Sequence, residues 1–131
     1  MPEMTKPRPK FLTLYQIRLP LAGFVSILHR ISGAGLFLLL PLLIYTLQSS
    51  LDPQPEGVAA FQAIKNNLFV QIFLFGLCWA YLHHFCAGIR YLLLDVHVGV
   101  EKDGSHKSAI IVMLVSLSLT ALIALKFMGV L

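Results

Sequence analysis

The chain has 131 residues, of which 57% are hydrophobic and only 12% are charged, and its formal net charge is +4. Soluble domains carry about 25% charged residues, so this composition excludes an ordinary soluble domain and indicates an integral membrane protein. The basic residues are spread along the chain and do not gather on a soluble segment, which argues against nucleic-acid binding.

Residues 1–20 form a mostly polar arm ahead of the first apolar segment. Pro7 and Pro9 disfavour a helix in this arm, and Pro20 suits the first position of the helix that follows. About twenty polar residues before any apolar run do not match the pattern of a signal peptide. We therefore expect a cytoplasmic N-terminal arm that is retained.

Three apolar segments, residues 21–47, 68–95 and 107–129, are long enough to cross a membrane. A hydrocarbon core of about 30 Å needs a helix of about 20 residues. We therefore predict an all-α membrane protein with a single three-helix transmembrane domain over residues 21–131. Three helices bury little of one another, so we expect them to be part of a heteromeric transmembrane helix bundle.

The basic residues that flank the spans predict the orientation, because Lys and Arg near span ends are retained in the cytoplasm. The first loop offers only Lys65 and the C-terminal end only Lys126. The cytoplasmic side is predicted from the residues that precede the first span and those of the second loop: Lys6, Arg8, Lys10 and Arg18, then Arg90, Lys102 and Lys107. The N-terminus is thus expected inside and the C-terminus outside.

A polar stripe lies near the cytoplasmic start of the first span. Ser26, His29, Arg30 and Gly33 are three or four residues apart, so they share one helix face. Such a stripe can bind carboxylates or polarise a carbonyl group. An alternative, equally open on spacing alone, is that Arg30 reaches the membrane surface while the other polar groups bond to backbone or a neighbouring helix.

The second span carries His84, an imidazole that is costly in a bilayer and suggests a bound prosthetic group. Gly88, one turn further along, would leave room for a flat macrocycle. His83 points about 100° away and is the weaker ligand candidate; hydrogen bonding between helices is the alternative for either histidine. Arg90 and Asp95 are interpreted as marking the water boundary, where they pair with each other or with head groups.

Together these motifs resemble the cytochrome b subunit of the succinate dehydrogenase membrane anchor. The resemblance covers nearly the whole chain and rests on four runs of sequence: Arg8-Pro9, Ile17-Arg18-Leu19-Pro20, Ser26-x-x-His29-Arg30-x-Ser32-Gly33, and His84-x-x-x-Gly88-x-Arg90-x-x-x-x-Asp95. One departure is Tyr91, since many relatives have a second histidine directly after the motif arginine.

The resemblance implies that His84 is an axial iron ligand of a haem b, with the other ligand supplied by a second membrane-anchor subunit. It implies that Ser26 and Arg30 line a ubiquinone site, and that His29 and Arg30 meet the haem propionates. It also implies partner iron–sulfur and flavoprotein subunits and a place in the bacterial cytoplasmic membrane, rather than the mitochondrial inner membrane. The chain itself would not oxidise succinate and would hold no complete active site alone.

Two other functions stay open at the level of sequence. A fumarate reductase anchor would look the same, because the direction of reaction depends on potentials and on the quinone. A non-catalytic membrane scaffold would use its His and Arg residues only for bonds between helices.

Overall fold

The computed structural model describes residues 16–129, and most of the arm expected at residues 1–20 therefore lies outside the described residues. The described chain forms four helices, namely α1 (Leu21–Leu51), α2 (Pro55–Asn66), α3 (Leu68–Asp95) and α4 (Lys102–Phe127). Three of them, α1, α3 and α4, are long and apolar enough to cross a membrane. The predicted fold class, an all-α membrane protein with three transmembrane helices, is confirmed.

Helix α1 continues to Leu51, past the end expected at residue 47, and Pro41 lies within it. Its last turns are polar, but their hydroxyl groups bond back to the helix: Thr46 Oγ1 donates to the Leu42 carbonyl at 2.9 Å and Ser49 Oγ to the Tyr45 carbonyl at 3.0 Å. These bonds satisfy the side chains within the helix, so a stretch that resembles a loop remains helical.

Helix α2 is a short connection between the first two spans. It begins at Pro55, a residue suited to a first helical turn, and ends before Asn67. Asn67 also caps the next helix, because its side-chain oxygen accepts from the Phe69 and Val70 amides at 3.0 and 3.2 Å. One residue thus ends α2 and starts α3.

Helix α3 packs against both α1 and α4. The buried apolar residues at these contacts are small, namely Val25, Ala87, Ala109 and Val112. Small side chains let membrane helices approach closely, where packing rather than burial from water holds them together. Most large apolar side chains, Phe37 and Leu38 among them, are exposed. The helix surfaces are therefore available to lipid and to other chains.

Arg90 connects α3 to the start of α4. The residue is only 5% exposed. Its Nε donates to Ser108 Oγ at 2.9 Å, and its Nη2 donates to Ser105 Oγ at 2.9 Å and to the Ser105 carbonyl at 3.2 Å. The sequence suggested that Arg90 pairs with Asp95 or with head groups, but in the structure it bonds to α4 instead. The planar guanidinium reaches several acceptors on the first turns of that helix.

Candidate functional site

His84 on α3 is held by α1 through one of its two ring nitrogens. Nδ1 lies 3.0 Å from the His29 carbonyl oxygen and 3.3 Å from Ser32 Oγ. A carbonyl oxygen can only accept, so this geometry assigns the donor role to Nδ1, and a neutral ring with that tautomer has its lone pair on Nε2. Within residues 16–129, the hydrogen bonds of the His84 ring involve Nδ1 alone.

The ring of His29 lies flat against that of His84. Their centroids are 4.2 Å apart and their planes differ by 8°. Tyr91 approaches the other side of this pair, with its ring centroid 5.0 Å from that of His29. His29 thus contacts the same partner through both its carbonyl and its side chain.

Each of the two rings lies against a glycine of the other helix, and at Gly33 the contact leaves no room for a Cβ atom. A Cβ atom on Gly33 would lie 2.7 Å from Cε1 of His84, and one on Gly88 would lie 3.8 Å from Nε2 of His29. Each glycine follows the histidine of its own helix by four residues, so each histidine sits against the glycine of the other helix. The contact between α1 and α3 therefore has a reciprocal histidine–glycine arrangement.

Ser26 and Arg30 lie on α1 but take no part in this contact. Ser26 is half-buried and Arg30 is exposed. Among the described residues, neither side chain forms a hydrogen bond or an ion pair. The structure thus joins His29 of the polar stripe to His84 and leaves the Ser26 and Arg30 side chains without a polar partner among residues 16–129.

His83 has different surroundings from those of its neighbour. It is 1% exposed, and its ring centroid is 5.5 Å from that of Trp79. The backbone of Val25 lies close to the imidazole, yet neither ring nitrogen makes a hydrogen bond with acceptable geometry within residues 16–129. The structure therefore does not show the interhelical bond that the sequence suggested as an alternative for His83.

Ser32 is the site residue whose role the sequence did not indicate. Its hydroxyl donates to the His29 carbonyl at 3.0 Å, while its oxygen faces Nδ1 of His84. Ser32 is part of the Ser26-to-Gly33 motif, which is the only indication that the sequence gives of its importance. Spacing along one helix cannot show which residue of another helix Ser32 contacts.

The described residues contain no group of three or more His, Cys, Asp or Glu side chains that could hold a metal ion by themselves. His84 instead offers a single nitrogen donor whose other ring nitrogen is fixed by a backbone carbonyl. This is the usual arrangement of a histidine that ligates a metal, because the second hydrogen bond sets both the tautomer and the ring orientation. The arrangement suits a prosthetic group that needs one ligand from this chain and one from elsewhere.

Comparison with known proteins supports the same class. Residues 4–123 match the family model described as succinate dehydrogenase/fumarate reductase transmembrane subunit. The chain is 33% identical over 102 residues to a succinate dehydrogenase cytochrome b556 subunit of Paracoccus denitrificans, covering 78% of each chain. It is 32% identical over 113 residues to the subunit of the same name from Coxiella burnetii, covering 86% of this chain and 90% of that one.

A third relative, the succinate dehydrogenase cytochrome b556 subunit of Rickettsia felis, is 28% identical over 118 residues and is aligned over 90% of both chains. The alignments thus span the membrane helices together with the loops between them. The chain belongs to the succinate dehydrogenase/fumarate reductase transmembrane subunit family, as a cytochrome b membrane-anchor subunit of succinate dehydrogenase.

Proposed function

We propose that this subunit binds haem b through His84, shares that haem with a second membrane-anchor subunit, and helps to form the site where ubiquinone is reduced. The names of the relatives favour succinate dehydrogenase over fumarate reductase, since all three are called succinate dehydrogenase subunits. Electrons from succinate would reach the anchor from flavoprotein and iron–sulfur subunits, which this chain docks at the membrane.

The observation that carries the haem proposal is the hydrogen bonding of the His84 ring. Nδ1 donates to the His29 carbonyl, so in the neutral ring Nε2 is the nitrogen that can bind iron. Within residues 16–129, the other ring nitrogen, Nε2, makes no hydrogen bond. A bound haem b would supply one-electron transfer between its ferric and ferrous states.

His29 and Arg30 are proposed to contact the haem propionates, as a pair of neighbouring cationic or hydrogen-bonding groups. Arg30 is exposed and unpaired within the described residues, so its guanidinium is free to bind a carboxylate. Tyr91 lies beside His29 and offers a hydroxyl donor at the position where many relatives have histidine.

Ser26 and Arg30 are proposed to bind ubiquinone. Reduction of a quinone takes two electrons and two protons, so its carbonyl oxygens need donors that lie near water. The Ser26 hydroxyl and the Arg30 guanidinium are such donors and stand one helical turn apart on α1. The distribution of basic residues supports a cytoplasmic position for this turn, and we propose that the N-terminus is inside and the C-terminus in the periplasm.

The quinone proposal is tested with the assembled complex carrying Arg30→Ala. We expect succinate-to-ubiquinone activity to fall roughly tenfold or more, as for the loss of a charged hydrogen bond of at least about 1.4 kcal/mol. Succinate oxidation with a soluble artificial acceptor should stay near its original rate, because that reaction does not use the quinone site.

Arg18→Ala is the matched control, since Arg18 is also exposed and lies just before the same helix. It should leave both activities unchanged. Equal losses of both activities in Arg30→Ala would contradict a quinone role and would point to a general defect in the complex, as a scaffold function predicts.

A further inference from the structure

Gly33 lies directly against the imidazole of His84. A Cβ atom added to Gly33 would be 2.7 Å from Cε1, 3.2 Å from Nδ1 and 3.6 Å from Nε2 of that ring. Real Cβ atoms essentially never come within 3.0 Å of another heavy atom. Only glycine at residue 33 therefore allows the ring to occupy its observed place.

The same ring is held in its plane by hydrogen bonds. The Nδ1–H group of His84 faces two acceptors on α1, the His29 carbonyl at 3.0 Å and Ser32 Oγ at 3.3 Å. The Ser32 hydroxyl donates to the same carbonyl, so its lone pairs are available to the imidazole. Two acceptors on one side restrict rotation of the ring about its bond to Cβ.

We propose that Gly33 and Ser32 are positioning residues, which together fix the rotation of the His84 imidazole and thereby the plane in which Nε2 is presented to iron. This inference rests on the proposed ligation of haem by His84. Gly33 supplies the space and Ser32 supplies part of the hydrogen-bonding restraint. Neither residue touches iron, and both act through His84.

The plane of an axial imidazole has measurable consequences for a low-spin haem. The angle between the two ligand planes sets the splitting of the iron orbitals, and hence the g values of the ferric state. The hydrogen bond at Nδ1 makes the ligand more basic, which stabilises ferric over ferrous iron. A ring that loses this bond should therefore give altered g values and a higher reduction potential.

A methyl group at residue 33 would force the His84 imidazole to move from its observed position. Ordinary van der Waals contact begins at about 3.4 Å, so the imidazole must move away from α1. The acceptors of Nδ1 are on α1, and the same movement lengthens the bond to the His29 carbonyl. Both restraints on the ring are thus disturbed by one substitution.

The test uses the assembled complex with Gly33→Ala, and Gly35→Ala is the matched control. Gly35 lies on the same helix, but a Cβ atom there would meet nothing within 4 Å. The readouts are the electron paramagnetic resonance spectrum of the ferric haem and its reduction potential. We expect Gly33→Ala to shift the g values and raise the potential, whereas Gly35→Ala should match the wild type.

Ser32→Ala provides a second, milder variant with its own control, Ser116→Ala. Both serines are buried, and each donates to the carbonyl three residues earlier, that of His29 and of Met113 respectively. Loss of the hydroxyl should raise the potential only in Ser32→Ala, and by less than in Gly33→Ala. If Gly33→Ala prevents assembly of the complex, the comparison of Ser32→Ala with Ser116→Ala still tests the positioning role: a potential that is equal in these two variants would contradict it.

His84→Ala separates failure of this inference from failure of the proposed function. If His84→Ala abolishes the low-spin signal while Gly33→Ala and Ser32→Ala both match the wild type, the positioning role is overturned and ligation by His84 stands. If the low-spin signal survives His84→Ala unchanged, the proposed function itself is wrong.

Discussion

The two faces of helix α3 use their polar residues in opposite ways. Towards α4, Arg90 makes three hydrogen bonds with Ser105 and Ser108. Towards α1, the His84 ring bonds through Nδ1 alone, and its Nε2 makes no hydrogen bond within residues 16–129. The polar groups of the first face bond within the chain and connect α3 to α4, whereas the second face leaves Nε2 of His84 without a hydrogen-bond partner among residues 16–129.

The two membrane arginines show the same difference. Arg90 is buried and bonded to α4, while Arg30 is exposed and makes no polar contact with another described residue. Both lie towards the end of the bundle where α1 begins and α3 ends, so hydropathy alone gives them the same interpretation. Their contacts distinguish an arginine that connects two helices from one that has no polar partner among residues 16–129.

The largest effect on stability is expected from Arg90→Ala. It removes three hydrogen bonds between α3 and α4 and should lower the free energy of unfolding by about 1–3 kcal/mol, given the modest net value of such bonds in membranes. The measurement is the thermal unfolding of the purified complex in detergent.

Arg90→Lys should restore only part of that stability, because a single ammonium group cannot reproduce the planar fork of the guanidinium. Lys107→Ala is the control, since Lys107 is exposed and stands between the two serines that Arg90 binds. An Arg90→Ala complex as stable as the Lys107→Ala complex would show that the α3–α4 face does not depend on these bonds.

A much smaller effect is expected from His83→Phe. Both ring nitrogens of His83 are buried without a hydrogen bond in the described chain, so replacing the imidazole by an apolar ring should change stability by no more than about 1 kcal/mol, in the stabilising direction. The haem spectrum should not change. A loss of haem in this variant would mean that His83, and not only its neighbour, belongs to the functional face of α3.

The three spans could be predicted because length and apolar character alone determine which segments cross a bilayer. The end of α1 could not, because Ser49 and Ser50 resemble loop residues until their hydroxyl groups are seen to bond within the helix. Hydropathy reports the free-energy cost of placing a polar side chain in a membrane. It does not show whether a hydrogen-bond partner in the folded chain offsets that cost.

The site was predictable only in part, for a similar reason. His84 is conspicuous in sequence, since an imidazole in a membrane span needs an explanation. Its contacts with the His29 carbonyl and with Ser32 join residues more than fifty positions apart. They depend on how α1 and α3 are aligned, which the periodicity of either helix cannot reveal. The roles of Ser26, Arg30 and the His29 side chain towards ligands stay predictions.

Ligation of haem iron by His84 is tested most directly by near-infrared magnetic circular dichroism of the ferric complex, because the charge-transfer band in that region identifies the two axial ligands. The wild type should show two histidine ligands. His84→Met should replace that signal by one of histidine–methionine or high-spin iron. An unchanged bis-histidine signal in His84→Met would contradict the assignment and place both iron ligands elsewhere.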